Sequence, residues 1–381
     1  MTSPAPKTPA DEAVVRGGLR IGRVLGVPVF VSPSWLLFAG LILVVFGPTL
    51  AEDYGRTRGY VAAGAFALLL LASVLLHEIG HCVVARAFGL PVRSITVTFL
   101  AGLTEITEPP QTPAREYSVA IVGPLVSLLL AGLGLGLLPL FEQGSLPYLL
   151  AGIVAVSNGL VAAFNLLPGL PLDGGRVLRA AVWKVTGDPD RSTRFAAQSG
   201  RVVALVLVPG LLVGVLPAIG LTRLDLSTVL FTALVSAFIL VGANATLQRS
   251  AFLERVPRAS VARLARPAIA VPADLPLAEA VRRAQAAHVR GVVVVDGSGT
   301  PEAVVSEAAV LAVPDDRRPW VSVSTVARRL DDGMVLDASL TGEALLEAMR
   351  TVPATEYVVH DRGTGQVRVL TTEDVAAVVR P

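Results

Sequence analysis

Two histidines four residues apart, with a glutamate directly after the first, stand in the stretch Leu75-Leu-His77-Glu78-Ile-Gly-His81-Cys82. On a helix that spacing puts both imidazoles on one face, near enough to share one metal ion. Neutral imidazole suits Zn²⁺, and a carboxylate one position after the first ligand can reach a water that the ion has made acidic. Such a glutamate can take the proton of that water and later deliver it to a leaving amine. Catalytic zinc takes three protein ligands, so two histidines leave the set one short. The other histidines, His288 and His360, fall in a charged C-terminal segment and read as ordinary surface or strand residues.

A carboxylate beside apolar sequence is the remaining source. Asp173 ends the run Asn165-Leu-Leu-Pro168-Gly-Leu-Pro171-Leu-Asp173, followed by Gly174, Gly175 and Arg176. These prolines and glycines cannot continue a regular helix. Irregular backbone at membrane depth is tolerated only inside protein or around a wet cavity. There the unwound chain would let a carboxylate turn inward. A plain Asp-Gly turn after a helix end is the other reading of the same residues.

The elements that must position these groups are apolar. The chain has 381 residues, 53% hydrophobic and only 16% charged. Soluble domains are about a quarter charged, so one soluble globule is excluded, as is a disordered chain. A formal charge of +2 leaves no nucleic-acid footprint, and the single cysteine, Cys82, excludes a disulfide scaffold or a multi-cysteine metal site. Six stretches have the roughly 20 apolar residues that a membrane-spanning helix needs: Pro33–Leu50, Tyr60–Ala85, Tyr117–Leu140, Leu146–Leu172, Val202–Thr222 and Leu226–Gln248. The histidine cluster follows the uncharged stretch Tyr60–Leu76, within or at the edge of hydrocarbon. A lone Glu at mid-bilayer costs about 2.5–3.5 kcal/mol on insertion scales, which favours a functional site. The first span reads as a retained anchor rather than a cleaved leader.

Cationic residues set an expected orientation. Lys7, Arg16, Arg20 and Arg23 precede the first span, and Arg86, Arg93 and Arg115 separate the second and third. Arg176, Arg179, Lys184, Arg191, Arg194 and Arg201 separate the fourth and fifth, and Arg249, Arg255 and Arg258 follow the sixth. The alternate loops hold only Arg56, Arg58 and Arg223. The positive-inside rule then puts both termini in the cytoplasm of a multi-pass cell-membrane protein. With that orientation His77, His81 and Asp173 each lie near the inner end of a helix running outside to inside, at matching depth.

Beyond residue 260 the composition turns charged and Ala/Val-rich and repeats itself at an offset of about 65 residues. Val261–Arg263 aligns with Val326–Arg328, Val292–Asp296 with Tyr357–Asp361, and Val304–Ser306 with Val369–Thr371. Each copy reads as an amphipathic helix, a buried strand ending in Asp, a Gly turn, a second strand and a closing helix.

The tail resembles a pair of CBS repeats, at 259–313 and 324–381, which implies clefts for an adenine nucleotide. The Ser/Thr and Asp that hold ribose and phosphate in that family stand as Thr371 and Asp374 in the second copy, whereas the first has Ser306 but Ala309. A ligand-free module that pairs two chains as a homodimer remains equally open. In the membrane part, His77-Glu78-x-x-His81, Gly123-Pro124-Leu-Val-Ser127 and Asn165-x-x-Pro168-x-x-Pro171-Leu-Asp173 together resemble the site-2 protease family of intramembrane zinc metalloproteases.

This resemblance implies one Zn²⁺ per chain held by His77, His81 and Asp173, with Glu78 as general base and Asn165 as an oxyanion donor, a helix–helix hydrogen bond being the other reading of Asn165. It implies a six-span α-helical membrane domain over 25–250, after a cytoplasmic tail of 1–24 and before the α/β CBS pair. It also implies a transmembrane substrate, such as an anti-sigma factor or another regulatory membrane protein. Asn158, Ser127, Gly123 and Cys82 read as packing residues. The stretch Pro91–Thr107, with Ile95, Val97 and Phe99 alternating, reads as short strands at the membrane edge, which in that family pair with an extended substrate; a plain interfacial loop is the other reading. The competing reading is a CBS-gated transporter. It predicts matching broken helices in both halves, and only Pro168–Gly175 is broken. A catalytically dead scaffold is a third reading, opposed by the intact ligand set.

Overall fold

The computed structural model describes residues 18–98, 102–220, 223–360 and 366–379. Lys7, Arg16, Phe99 and Asp361, and the stretch 1–17 of the expected tail, lie outside them. The chain divides into two compact units, Met1–Leu247 and Gln248–Pro381.

In the first unit a small sheet precedes and interrupts the helices. Strands β1 (Leu19–Val24) and β2 (Val27–Val31) form a hairpin, helices α1 (Pro33–Tyr54) and α2 (Arg56–Ala87) follow, and β3 (Val92–Val97) and β4 (Gly102–Ile106) complete the sheet. Its order is β1-β2-β3-β4, with β2 and β3 parallel and the outer pairs antiparallel. The expected strands of 91–107 are thus present. Residues 19–24, expected as tail, are a strand as well. Val27, Val29 and Ile95 are buried with Cys82 of α2, so the sheet packs on the helix that carries the histidines.

Then come α3 (Pro113–Leu137), α4 (Leu146–Asn165), α5 (Asp173–Thr186), α6 (Pro189–Ala218) and α7 (Leu226–Arg255). Among the described residues, six helices are long and apolar enough to cross a membrane. Four of their starts carry side-chain caps. Ser32, Thr112, Ser145 and Asp188 accept hydrogen bonds from first-turn amides, and each is followed by a proline at the first or second helical position. The third helix therefore begins at Pro113 rather than Tyr117, and the fifth span at Pro189 rather than Val202. Helix α6 carries π-helical turns at Val203–Leu207 and Gly210–Val215.

The largest correction concerns the fourth span. It ends at Asn165, not Leu172, and Asp173 opens α5 instead of closing a helix. Pro168 and Pro171 have no N–H to donate and clash with a preceding helical turn, so the chain leaves the helix there. The matching-depth argument, which took Asp173 as the end of a descending helix, is replaced by a different geometry. A carboxylate at the first helical position faces the unpaired amides and positive dipole end of its own helix, where negative charge is favoured.

The second unit carries a seven-stranded sheet of order β8-β7-β6-β5-β11-β10-β9. Strand β5 (Arg266–Val271), helix α8 (Leu277–Ala286), strands β6 (Gly291–Val295) and β7 (Pro301–Val305) and helix α9 (Glu307–Leu311) make the first copy of the repeat. After β8 (Ala327–Arg329), the second copy is β9 (Val335–Leu336), α10 (Gly342–Thr351), β10 (Glu356–His360), β11 (Val367–Thr371) and α11 (Thr372–Val379). The helix–strand–strand–helix order read from the repeat appears in both. Strand β11 pairs with β5 and joins the copies. Val293, Val304, Val358 and Val369 from both fill one shared core, so neither copy completes its core alone.

Candidate metal centre

Helix α2 presents His77, Glu78 and His81 at the i, i+1 and i+4 positions, all buried, with exposures of 4%, 5% and 4%. Asp173, at the first position of α5, is 9% exposed. His77 Nε2 lies 3.1 Å from Asp173 Oδ2, His81 Nε2 lies 3.2 Å from the same oxygen, and the two Nε2 atoms are 3.2 Å apart. Donors around a tetrahedral ion with bonds of about 2.0–2.1 Å stand about 3.3–3.4 Å apart, so the triangle has the size of one face of a zinc site.

Helix α3 fixes which nitrogen faces inward. His81 Nδ1 is 2.6 Å from the main-chain oxygen of Val119. A carbonyl only accepts, so Nδ1 carries the proton and, in the neutral ring, Nε2 carries the lone pair. His77 Nδ1 is 2.9 Å from Ser127 Oγ, a fully buried hydroxyl able to accept in the same way. With Ser127 accepting from His77, two neutral imidazoles so oriented put two lone pairs and a carboxylate oxygen face to face. A cation satisfies that arrangement. The donor set therefore fits zinc, which takes neutral imidazole and carboxylate.

Gly123 of α3 completes the cradle. A Cβ there would stand 2.2 Å from His81 Nε2 and 2.5 Å from His77 Nε2. Hydrogen is the one side chain that leaves room on that wall. Gly123 and Ser127, read from sequence as packing residues, thus border the imidazoles directly.

Glu78 sits beside the trio. One of its carboxylate oxygens lies within 4.8 Å of a ring nitrogen of each histidine. Its Oε2 accepts a 2.6 Å hydrogen bond from Thr104 Oγ1 on β4. Asp173 is secured through its own helix: Arg176 Nε and Arg179 Nη1 lie 3.1 and 3.3 Å from Glu116 Oε1 in the first turn of α3. Glu116 is buried, and its Oε2 has no hydrogen-bond partner among the described residues.

Asn165, the last residue of α4, is half-buried, and no hydrogen bond joins it to the trio among the described residues. Asn158, about two turns earlier in α4, donates at 2.9 Å to Ser73 of α2, as expected of a packing residue. Thr371 and Asp374 of the second unit engage each other: Thr371 Oγ1 donates to Asp374 Oδ2 at 2.8 Å, and Asp374 N donates to Thr371 Oγ1 at 3.1 Å. This is a reciprocal cap on α11. Arg266 also pairs with Asp374.

Thr104, Glu116 and the orienting role of Ser127 were not legible in the sequence, because each acts across the chain on a partner 26 to 60 residues away.

The profile of Peptidase family M50 matches residues 65–146 and 140–208, which include all four residues of the cluster. A candidate zinc metalloprotease of Synechocystis sp. is 39% identical over 192 residues, 49% of this chain and 50% of that protein. A second candidate zinc metalloprotease, from Methanocaldococcus jannaschii, is 30% identical over 134 residues, 30% of this chain and 70% of that protein. The solved site-2 protease from the same organism is 28% identical, with a TM-score of 0.43, over 60% of this chain and 94% of that one. Solved CBS domains match at TM-scores of 0.28 and 0.29, each over 38% of this chain. The chain spans about half the length of the first curated relatives it matches.

Proposed function

The chain belongs to peptidase family M50, and we propose that it is an intramembrane zinc endopeptidase that cleaves transmembrane segments of regulatory membrane proteins, with an anti-sigma factor as one such substrate. The observation that carries the reading is the 3.1–3.2 Å triangle of His77 Nε2, His81 Nε2 and Asp173 Oδ2.

In this reading His77, His81 and Asp173 hold one zinc ion. Zinc in such a site supplies Lewis acidity, polarising a peptide carbonyl and bringing the acidity of water near neutrality. Glu78 takes the proton from the attacking water on its carboxylate and gives it to the departing amine nitrogen. Asn165 is the candidate donor to the oxygen that gains charge. Ser127 and the Val119 carbonyl keep both rings turned with Nε2 inward. A helical peptide hides its carbonyls in its own hydrogen bonds, so it must unwind before attack. Strand β4 is an edge of the sheet among the described residues, the place where an extended peptide joins in this reading.

The second unit is read as a CBS pair that regulates the protease, either by taking an adenine nucleotide at Thr371 and Asp374 or by pairing two chains. Both termini are assigned to the cytoplasm on the cationic asymmetry of the loops. The direct test is Glu78→Gln in proteoliposomes with a reporter transmembrane substrate. Cleavage is lost while zinc stays bound; retained turnover refutes the base assignment.

A further inference from the structure

Strand β4 touches the glutamate at two places. Thr104 Oγ1 lies 2.6 Å from Glu78 Oε2 and 3.2 Å from the main-chain oxygen of Glu78. A hydroxyl has one hydrogen to give, and the shorter contact, to a carboxylate, has the length of a charge-assisted O–H···O bond. Two residues earlier, on the same face of the strand, a Cβ on Gly102 would fall 2.2 Å from Glu78 Cγ and 2.3 Å from its Oε1. The strand therefore meets the side chain with a donor at one oxygen and bare backbone at the other.

The strand is itself well fixed. Thr104 pairs with Ile95 and Gly102 with Val97 in β3, and both partners are fully buried. A glutamate side chain has three rotatable bonds, and nothing in α2 alone selects the rotamer that points at the metal-binding trio. The contact with β4 does.

We infer that Thr104 is the positioning residue of the base: its hydroxyl holds Oε2 of Glu78, which leaves Oε1 as the oxygen that takes the proton. This rests on the reading of Glu78 as the base. It assigns to the sheet a task separate from any pairing with substrate, since the strand that lies at the edge also sets the base.

Thr104→Val keeps the shape and strand preference of the residue and removes only the hydroxyl, Thr104→Ser keeps the hydroxyl, and Glu78→Gln removes the base. Each is prepared as the full chain in proteoliposomes, with a reporter transmembrane peptide that the unaltered protein cleaves, and kcat, KM and bound zinc are measured. General-base steps contribute 10²–10⁴-fold, so loss of the orienting hydroxyl is expected to lower kcat about tenfold in Thr104→Val. KM and zinc stoichiometry stay those of the unaltered protein. Thr104→Ser recovers kcat to within about twofold, and Glu78→Gln has no measurable turnover. A strand that merely packs would tolerate the valine.

Unchanged kcat in Thr104→Val, beside an inactive Glu78→Gln, overturns the inference and leaves the base assignment standing. So does loss of zinc in Thr104→Val, or a Thr104→Ser variant as impaired as the valine. Turnover in Glu78→Gln equal to that of the unaltered protein overturns both assignments.

Discussion

Ser127 Oγ lies 2.9 Å from His77 Nδ1, fifty residues away in sequence, and this contact turns the opposite ring nitrogen towards Asp173. Groups that orient a ligating imidazole are worth about 10–100-fold in metal affinity. Ser127→Ala is therefore expected to weaken zinc binding by about that factor while leaving the helices folded. Competition against a chelator of known affinity measures it. Affinity equal to the unaltered protein's would mean that the packing of α3 alone sets the ring.

Glu116 ties α5 to α3 through Arg176 and Arg179, and the first residue of α5 is Asp173. The carboxylate is buried whereas the arginines are partly exposed. Removing one partner of such a pair costs on the order of 3 kcal/mol where both are buried, and less here. Glu116→Gln should lower the thermal midpoint in detergent and weaken zinc binding together, because α5 loses its anchor. A lowered midpoint with zinc affinity intact separates the clamp from the site.

Gly123 gives a sharper test of the cradle. In Gly123→Ala the new methyl meets His81 Nε2 at 2.2 Å and His77 Nε2 at 2.5 Å unless the rings or the helix shift. The rings are held from behind by Val119 and Ser127, so the predicted result is a folded protein with substoichiometric zinc. Native mass spectrometry in detergent reads the stoichiometry directly. One zinc per chain in this variant would show that the rings have slack.

In the second unit, Thr371 caps α11 and Asp374 returns the bond. Loss of such a cap costs about 1 kcal/mol, so Thr371→Ala should speed amide exchange across Thr372–Val379. Hydrogen exchange of the full chain follows that segment. Unchanged protection there would reduce the Thr371–Asp374 pair to a bystander and favour its reservation for a ligand.

What was legible in the sequence had local causes. The i, i+4 histidines, the glutamate between them and the proline-broken run before Asp173 carry their geometry in a few consecutive residues. The six apolar stretches and the internal repeat of the tail were legible for the same reason. The helix starts at Pro113 and Pro189 were also written locally, in Thr-Pro and Asp-Pro pairs, but hydropathy windows pass over them because the first turns are polar. Strand β1 was hidden because its residues are exposed apart from a half-buried Val24 and include Arg20 and Arg23, which read as markers of topology. Thr104, Ser127 and Glu116 become meaningful only when distant helices and strands meet. No periodicity encodes such a meeting. Asp173 shows both sides: its chemistry was legible, while its place at the start of a helix followed from prolines whose effect on the chain path was underestimated.

The central claim is that His77, His81 and Asp173 close on a single ion. Zinc K-edge absorption on the purified full-length protein, compared with Asp173→Ala, tests it most directly. The account predicts one zinc per chain, two imidazole nitrogens at about 2.0–2.1 Å and one carboxylate oxygen, with that oxygen shell and most of the affinity lost in the variant. Zinc bound with the same coordination and affinity in Asp173→Ala would contradict it.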